Sequence, residues 1–201
     1  MTSAARVEGD GSLRLFLALR LPDTVLDALV AWGERELVRC RRVPREHLHV
    51  TLAFLGRRPA GDLAAVLAAL HEAAGVVEPF ALEPRGWRET GSVGMIVLGD
   101  PTGRATLLAD ALHLRLEEIG VYRRERRGWL PHVTVARFRE RPRLDPPLPP
   151  VRTFVPSDAA AYLSSLHPSG ARYEVLDSTP IGHSSVNHDS DDHGTARRMN
   201  G

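Results

Sequence analysis

The chain has 201 residues, 43% of them hydrophobic, and a formal charge of +1 at pH 7. That suits one globular domain, or two small lobes sharing a core, and excludes a uniformly basic nucleic-acid coat. All 26 basic residues are arginine, which excludes a lysyl-nucleotide intermediate, a Schiff base and a phosphate-loop lysine. Cys40 is the single cysteine, so a disulfide framework is not expected and a reducing compartment is. Met1–Ser12 lacks the apolar centre of a secretory signal, and no apolar run approaches membrane-spanning length. A soluble cytoplasmic protein is expected.

Leu13–Leu21, short, apolar and stopped by Pro22, predicts a largely buried strand. Asp23 is placed to cap a helix with Val25, Leu26, Leu29, Val30 and Leu37 on its apolar face. Arg39, Arg41, Arg42 and Arg45 crowd a connection broken by Pro44, and a strand over His47–Leu55 ends at Gly56. Asp62 opens a second helix with Leu63, Val66, Leu67 and Leu70 on one side. Pro79–Trp87 and Val93–Leu98 predict two strands, and Gly103–Ile119 a third helix with Leu108, Leu112, Leu116 and Ile119 on one stripe, capped by Gly120. After the basic run Arg123–Arg127 comes a strand over His132–Phe138, then Arg139, Arg141 and Arg143 and a proline-rich loop, Pro142–Pro150. Val151–Val155, Ala159–Leu166 and Arg172–Thr179 predict the closing strands. Residues 1–12 are expected to be flexible, 13–182 to form the folded domain, and the polar segment 183–201 to be a disordered tail. The tail's His183, His188, His193, Asp189, Asp191 and Asp192 imitate a metal site, but nothing there fixes ligand geometry, so no metal is expected. The mixed order and several candidate hairpins favour an α+β fold.

One phrase occurs twice: His49-Val50-Thr51-Leu52-Ala53-Phe54 and His132-Val133-Thr134-Val135-Ala136-Arg137. Alternation along a strand puts His49 and Thr51 on one face and Val50 and Leu52 on the other, and likewise His132 and Thr134 against Val133 and Val135. Two such strands face to face bring two imidazoles and two hydroxyls to one cleft, a set suited to acid–base work on a phosphate. The repeat makes two lobes facing across a groove the economical arrangement.

These motifs, with the flanks Arg14–Leu19 followed by Leu21-Pro22, His49–Gly56, Pro131–Arg137 and Gly170–Leu176, resemble the two-histidine (2H) phosphoesterase superfamily, in its RNA 2′,3′-cyclic phosphodiesterase branch. The resemblance spans about Arg14 to Gly182. It implies a bilobal α+β protein with two antiparallel-rich sheets, helices outside, a pseudo-two-fold axis and the active-site groove between lobes. It also implies metal-independent hydrolysis of RNA 2′,3′-cyclic phosphate ends to 2′-phosphates, with no cofactor, and a reversible 2′–5′ RNA ligation needing no ATP.

By the same resemblance His49 is the proton donor to the 3′ oxygen and His132 the base on water, roles the residues alone do not distinguish. Thr51 and Thr134 are expected to bind the phosphoryl oxygens. Arg137 is either a third phosphate ligand or a solvated edge arginine. Phe54, Trp87 and Trp129 are candidates for base stacking or for the core, and Arg127 with its basic neighbours for the RNA backbone. His47 shares the face of His49, as a supporting partner or simply exposed. Cys40 is expected to be a buried, inert thiol. The expected partner is RNA with a cyclic-phosphate end, with no membrane, no obligate protein partner and a monomeric state. The alternatives are a small cyclic-nucleotide phosphodiesterase and a non-catalytic RNA-binding module.

Overall fold

Strand β1 (Ser12–Arg20) is buried continuously from Leu15 to Leu19, because it is covered on both faces. Leu15, Leu17 and Leu19 join the main core, while Phe16 and Ala18 join a second cluster with Ala160 and Tyr162. This explains the weak alternation of its sequence. The computed structural model describes residues 11–38, 40–168 and 170–182. The remaining elements are α1 (Asp23–Glu36), β2 (Arg41–Arg42), β3 (Val50–Pro59), α2 (Leu63–Gly75), β4 (Glu83–Glu89), β5 (Val93–Gly99), α3 (Arg104–Glu118), β6 (His132–Arg137), β7 (Asp158–His167) and β8 (Gly170–Thr179).

All strand pairs are antiparallel, in the order β4-β5-β6-β3-β1-β7-β8, with β2 beside β6. The class is therefore α+β, as expected. Two sheets were expected; the strands instead form one eight-stranded sheet. Its halves join where β3 meets β6 at Val50 opposite Val133, a junction that hydropathy alternation does not reveal. The three helices pack with one face of the sheet into the main core. None of the described helices is long and apolar enough to cross a membrane.

Several local expectations change. Pro22, not Asp23, sits at the cap of α1; the Asp23 and Asp27 carboxylates instead receive Arg45 at 2.8 and 2.7 Å. That tether fixes the single helical turn Arg45–His47 leading into the first motif. Trp32, absent from the predicted face of α1, is 1% exposed and donates its indole N–H to the Pro147 carbonyl at 2.8 Å. Gly56 does not end β3: with φ +69° it lets the strand continue to Pro59. Ile119 leaves the stripe of α3 and is exposed, while Gly120 (φ +73°) closes the helix as predicted. Val151–Val155 forms no strand; among prolines, it contributes only the bridge from Phe154 to Leu82. Arg39 and the tail 183–201, with its histidines and aspartates, lie outside the described residues, as do residues 1–10 of the N-terminal segment.

The loop after β6 is anchored by a buried acid. Glu89 accepts hydrogen bonds from the Leu144 and Arg143 N–H groups at 2.7 and 3.1 Å, Arg141 Nε at 3.0 Å and Trp87 Nε1 at 3.3 Å.

Candidate active site

Val50 and Val133 are almost fully buried and face each other across β3 and β6. In that antiparallel register Thr51 lies across from His132, and His49, one residue before β3, across from Thr134. With the valines turned into the core, all four motif side chains belong to the opposite face.

Each strand then breaks its alternation at the same place. Against β1, Thr51 pairs with Ala18 and Ala53 with Leu17, leaving Leu52 extra. Against β5, Thr134 pairs with Met95 and Ala136 with Gly94, leaving Val135 extra. A bulge of one residue resets which face follows. Phe54 and Arg137, five positions after their histidines, would otherwise point to the back; both line the same cleft as His49. The carbonyls around the bulges are held. Trp129 donates Nε1–H to Thr51 O at 2.9 Å, His113 Nε2–H to Leu52 O at 2.8 Å, and the Val43 N–H reaches Val135 O at 2.9 Å.

The histidines open into adjoining depressions rather than one cavity. The first, about 470 Å³, holds His49, Thr51, Thr134 and Arg137. The second, about 650 Å³, holds His132, Tyr122, Arg127 and Trp129. Thr51 and Phe54 border both.

The two rings are oriented alike, each by the backbone two residues upstream. His132 donates Nδ1–H to the Leu130 carbonyl at 2.8 Å, which leaves Nε2 with its lone pair when the ring is neutral. His49 hydrogen-bonds the backbone of His47, and its Nε2 lies 3.1 Å from Thr51 Oγ1. Around it stand Phe16, Tyr173 and Tyr162, with ring centroids at 5.0, 5.9 and 6.0 Å. Burial lowers the His49 pKa from 6.5 to about 4; the bond to His47 works the other way, while the charges of His47, His132 and Arg137 add to the lowering.

Of the stacking candidates, Phe54 is 50% exposed with the Arg14 guanidinium 5.0 Å from its ring centre. Trp129 is half-buried, its indole committed to Thr51. Trp87 packs beside Trp32 and against the core. Arg127 is exposed and pairs with Glu125 at 2.8 Å. His47 is half-buried, its ring tilted against Tyr173 with centroids 4.3 Å apart. Cys40 is only half-buried, and burial raises its thiol pKa. Among the described residues no group of three or more His, Cys, Asp or Glu is placed to hold a metal ion.

Phe16, Arg14 and Tyr173 also line the cleft, and none of them is among the residues expected there. The signal for the first two was an arginine and a ring at even positions of an otherwise aliphatic strand; Tyr173 had none.

The 2′-5′ RNA ligase superfamily model matches residues 22–167. A Thermus thermophilus protein named RNA 2′,3′-cyclic phosphodiesterase is 34% identical over 178 residues, covering 82% of this chain and 88% of the relative. The crystal structure of TT0787 of Thermus thermophilus superposes with a TM-score of 0.73 at 30% identity, covering 85% of this chain and 98% of that one. Apo LigT of E. coli shares the fold, with a TM-score of 0.72 at 24% identity over 85% of this chain and 98% of its own. With its paired His-x-Thr strands, the chain belongs to the 2′-5′ RNA ligase superfamily of two-histidine phosphoesterases.

Proposed function

We propose that the protein hydrolyses RNA 2′,3′-cyclic phosphate ends to 2′-phosphomonoesters, with His49 and His132 as the acid–base pair and no metal. The observation that carries this reading is the register of β3 and β6, which sets each motif's histidine across from the other's threonine. The two halves of the sheet then act as pseudo-two-fold lobes flanking one reaction centre. The activity named for the Thermus thermophilus relative supports the same chemistry.

In this mechanism His132 Nε2 takes a proton from water as the water oxygen bonds to phosphorus. The bond from phosphorus to the 3′ oxygen breaks, and His49 delivers a proton to that oxygen. The product carries a 2′-phosphate and a free 3′-hydroxyl, and the two histidines have exchanged protonation states. The carbonyl bond that fixes Nδ1–H on His132 supports its part as base. His49 must be protonated to act, and burial first, then the positive charges beside it, lower its pKa. A phosphate anion placed there favours the imidazolium and raises that pKa. Thr51, Thr134 and Arg137 hold the non-bridging oxygens, where charge must be stabilised during displacement. Phe54 borders both depressions and offers a stacking surface for the terminal base. Run in the same direction with a 5′-hydroxyl in place of water, the same groups give 2′–5′ ligation without ATP, and the reverse of that step cleaves a 2′–5′ linkage. The monomer carries both motifs, so the reaction needs no partner chain.

The test is product analysis on an oligonucleotide ending in a 2′,3′-cyclic phosphate, with H49A and H132A in parallel. A 2′-phosphate formed by the wild type and by neither variant is expected. A 3′-phosphate product, or full turnover in both variants, counts against the assignment.

A further inference from the structure

The depression around His49 carries more positive charge than one cyclic phosphate needs. Such a phosphate bears a single negative charge, yet four arginines (Arg14, Arg41, Arg42 and Arg137) line this cleft, and no Asp or Glu does. Among the described residues none of these four forms an ion pair with a carboxylate. Of the arginines expected to follow RNA, Arg124 is matched by Asp110 and Glu117, Arg127 by Glu125, and Arg141 by Glu89.

Two of the four unmatched arginines are directly opposed. Arg41 on β2 is the cross-strand partner of Arg137 on β6. Like charges in that position repel, and an anion seated against both removes the penalty through charge-assisted hydrogen bonds. The other two are engaged elsewhere. Arg14 reaches the Ser164 hydroxyl at 3.3 Å and the Phe54 ring. The stem of Arg42 runs back over α1, its Cδ 3.6 Å from where a Cβ on Gly33 would stand. Arg41 instead crosses toward β8: a Cβ on Gly170 would lie 3.4 Å from its Nη2.

We propose that Arg41, together with Arg137, holds a second phosphate of the substrate, the one on the 5′ oxygen of the nucleotide that carries the cyclic end. The inference rests on the cyclic phosphodiesterase reading and narrows it. The preferred substrate has a second phosphate on its terminal nucleotide, and its chain leaves the site toward β2 and β8, away from Arg127. An internal RNA phosphodiester and a free 5′-phosphate share this chemistry.

The experiment measures kcat/KM for the wild type, R41A, R41K and R127A on three substrates: a nucleoside 2′,3′-cyclic phosphate, the same compound with a 5′-phosphate, and a dinucleotide with a cyclic-phosphate end. The wild type should favour both two-phosphate substrates. R41A should lose roughly tenfold on those two and much less on the one-phosphate compound, the effect of one charge-assisted hydrogen bond. R41K should recover part of the loss, and R127A should follow the wild type. On the two-phosphate substrates R41A should also flatten the dependence of log kcat/KM on log salt by roughly 0.7. Preference for the dinucleotide but not the 5′-phosphorylated nucleotide would mean that the preceding nucleoside is read, and overturns the proposal. So does an equal loss in R41A on all three substrates, or a selective loss in R127A. If the wild type cleaves none of the three, the cyclic phosphodiesterase reading itself fails and takes this inference with it.

Discussion

His113 donates its Nε2–H to the carbonyl of Leu52, the extra residue of the β3 bulge, at 2.8 Å. The indole of Trp129 holds the carbonyl of the residue before it, Thr51. Both donors come from outside the sheet, and together they satisfy the backbone where the motif strand departs from its ladder. Removing either leaves a carbonyl wanting, at a cost of about 1–3 kcal/mol where it is buried.

H113F and W129F should therefore lower stability by roughly 1–3 kcal/mol in urea denaturation. They should also lower turnover, because the bulge sets where Phe54 points. H113Q, which keeps an N–H donor, should recover part of both. Unchanged stability in H113F would mean that the bulge holds without its donor.

H49A and H132A should each reduce turnover on a cyclic-phosphate end by roughly 10²–10⁴-fold, the usual contribution of one acid–base group. Both rings are only partly buried, so the variants should remain folded, which circular dichroism checks.

Burial depresses His49 to about 4 in the fold, against 6.5 when free. The folded ring therefore stays neutral while the unfolded chain binds a proton. The contribution is fully present above about pH 6.5 and is lost as the pH falls toward 4. Wild-type stability should drop more steeply than that of H49Q across this window. A ring titration by NMR should give a midpoint near 4 without ligand, moving upward when a 2′-phosphate product is added. A ligand-free midpoint near 6.5 would contradict the burial argument.

Glu89 carries its four hydrogen bonds with a side chain 2% exposed. Burial pushes its carboxyl up, but the Leu144 N–H, Arg141, Trp87 and the Arg143 N–H together bring the pKa below the usual value. E89A should cost roughly 1–3 kcal/mol at pH 7. It should also release the loop that follows β6, seen as faster amide exchange at Leu144. Because the folded pKa is depressed, the ionised form's contribution is present above the unfolded carboxyl value and fades as the pH falls through the lower folded one.

A chelator should leave hydrolysis unchanged, since both proton transfers are assigned to imidazoles. Loss of activity in EDTA, restored by a divalent ion, would place the charge stabilisation on a metal.

Much of this was legible in the amino acids. The duplicated His-x-Thr phrase marks both strands, and the apolar spacing of α1, α2 and α3 locates the helices to within a few residues. What alternation misjudges is the far end of each phrase. Neither Leu52 nor Val135 carries a glycine or proline signal, so counting faces from His49 and His132 sends Phe54 and Arg137 to the wrong side. The bulges are set by neighbours distant in sequence, Ala18 and Leu17 in one case and Met95 and Gly94 in the other. Likewise the merging of the strands into one sheet depends on the Val50–Val133 contact, and Trp32 is buried because a proline-rich segment far along the chain supplies an acceptor.

That merged sheet has a waist. β1 and β7, and β4 and β5, are held together by long ladders, but β3 and β6 share a single rung. His49 and His132 stand on either side of that rung, so the span between the proposed proton donor and acceptor is crossed by the shortest ladder among the described strands.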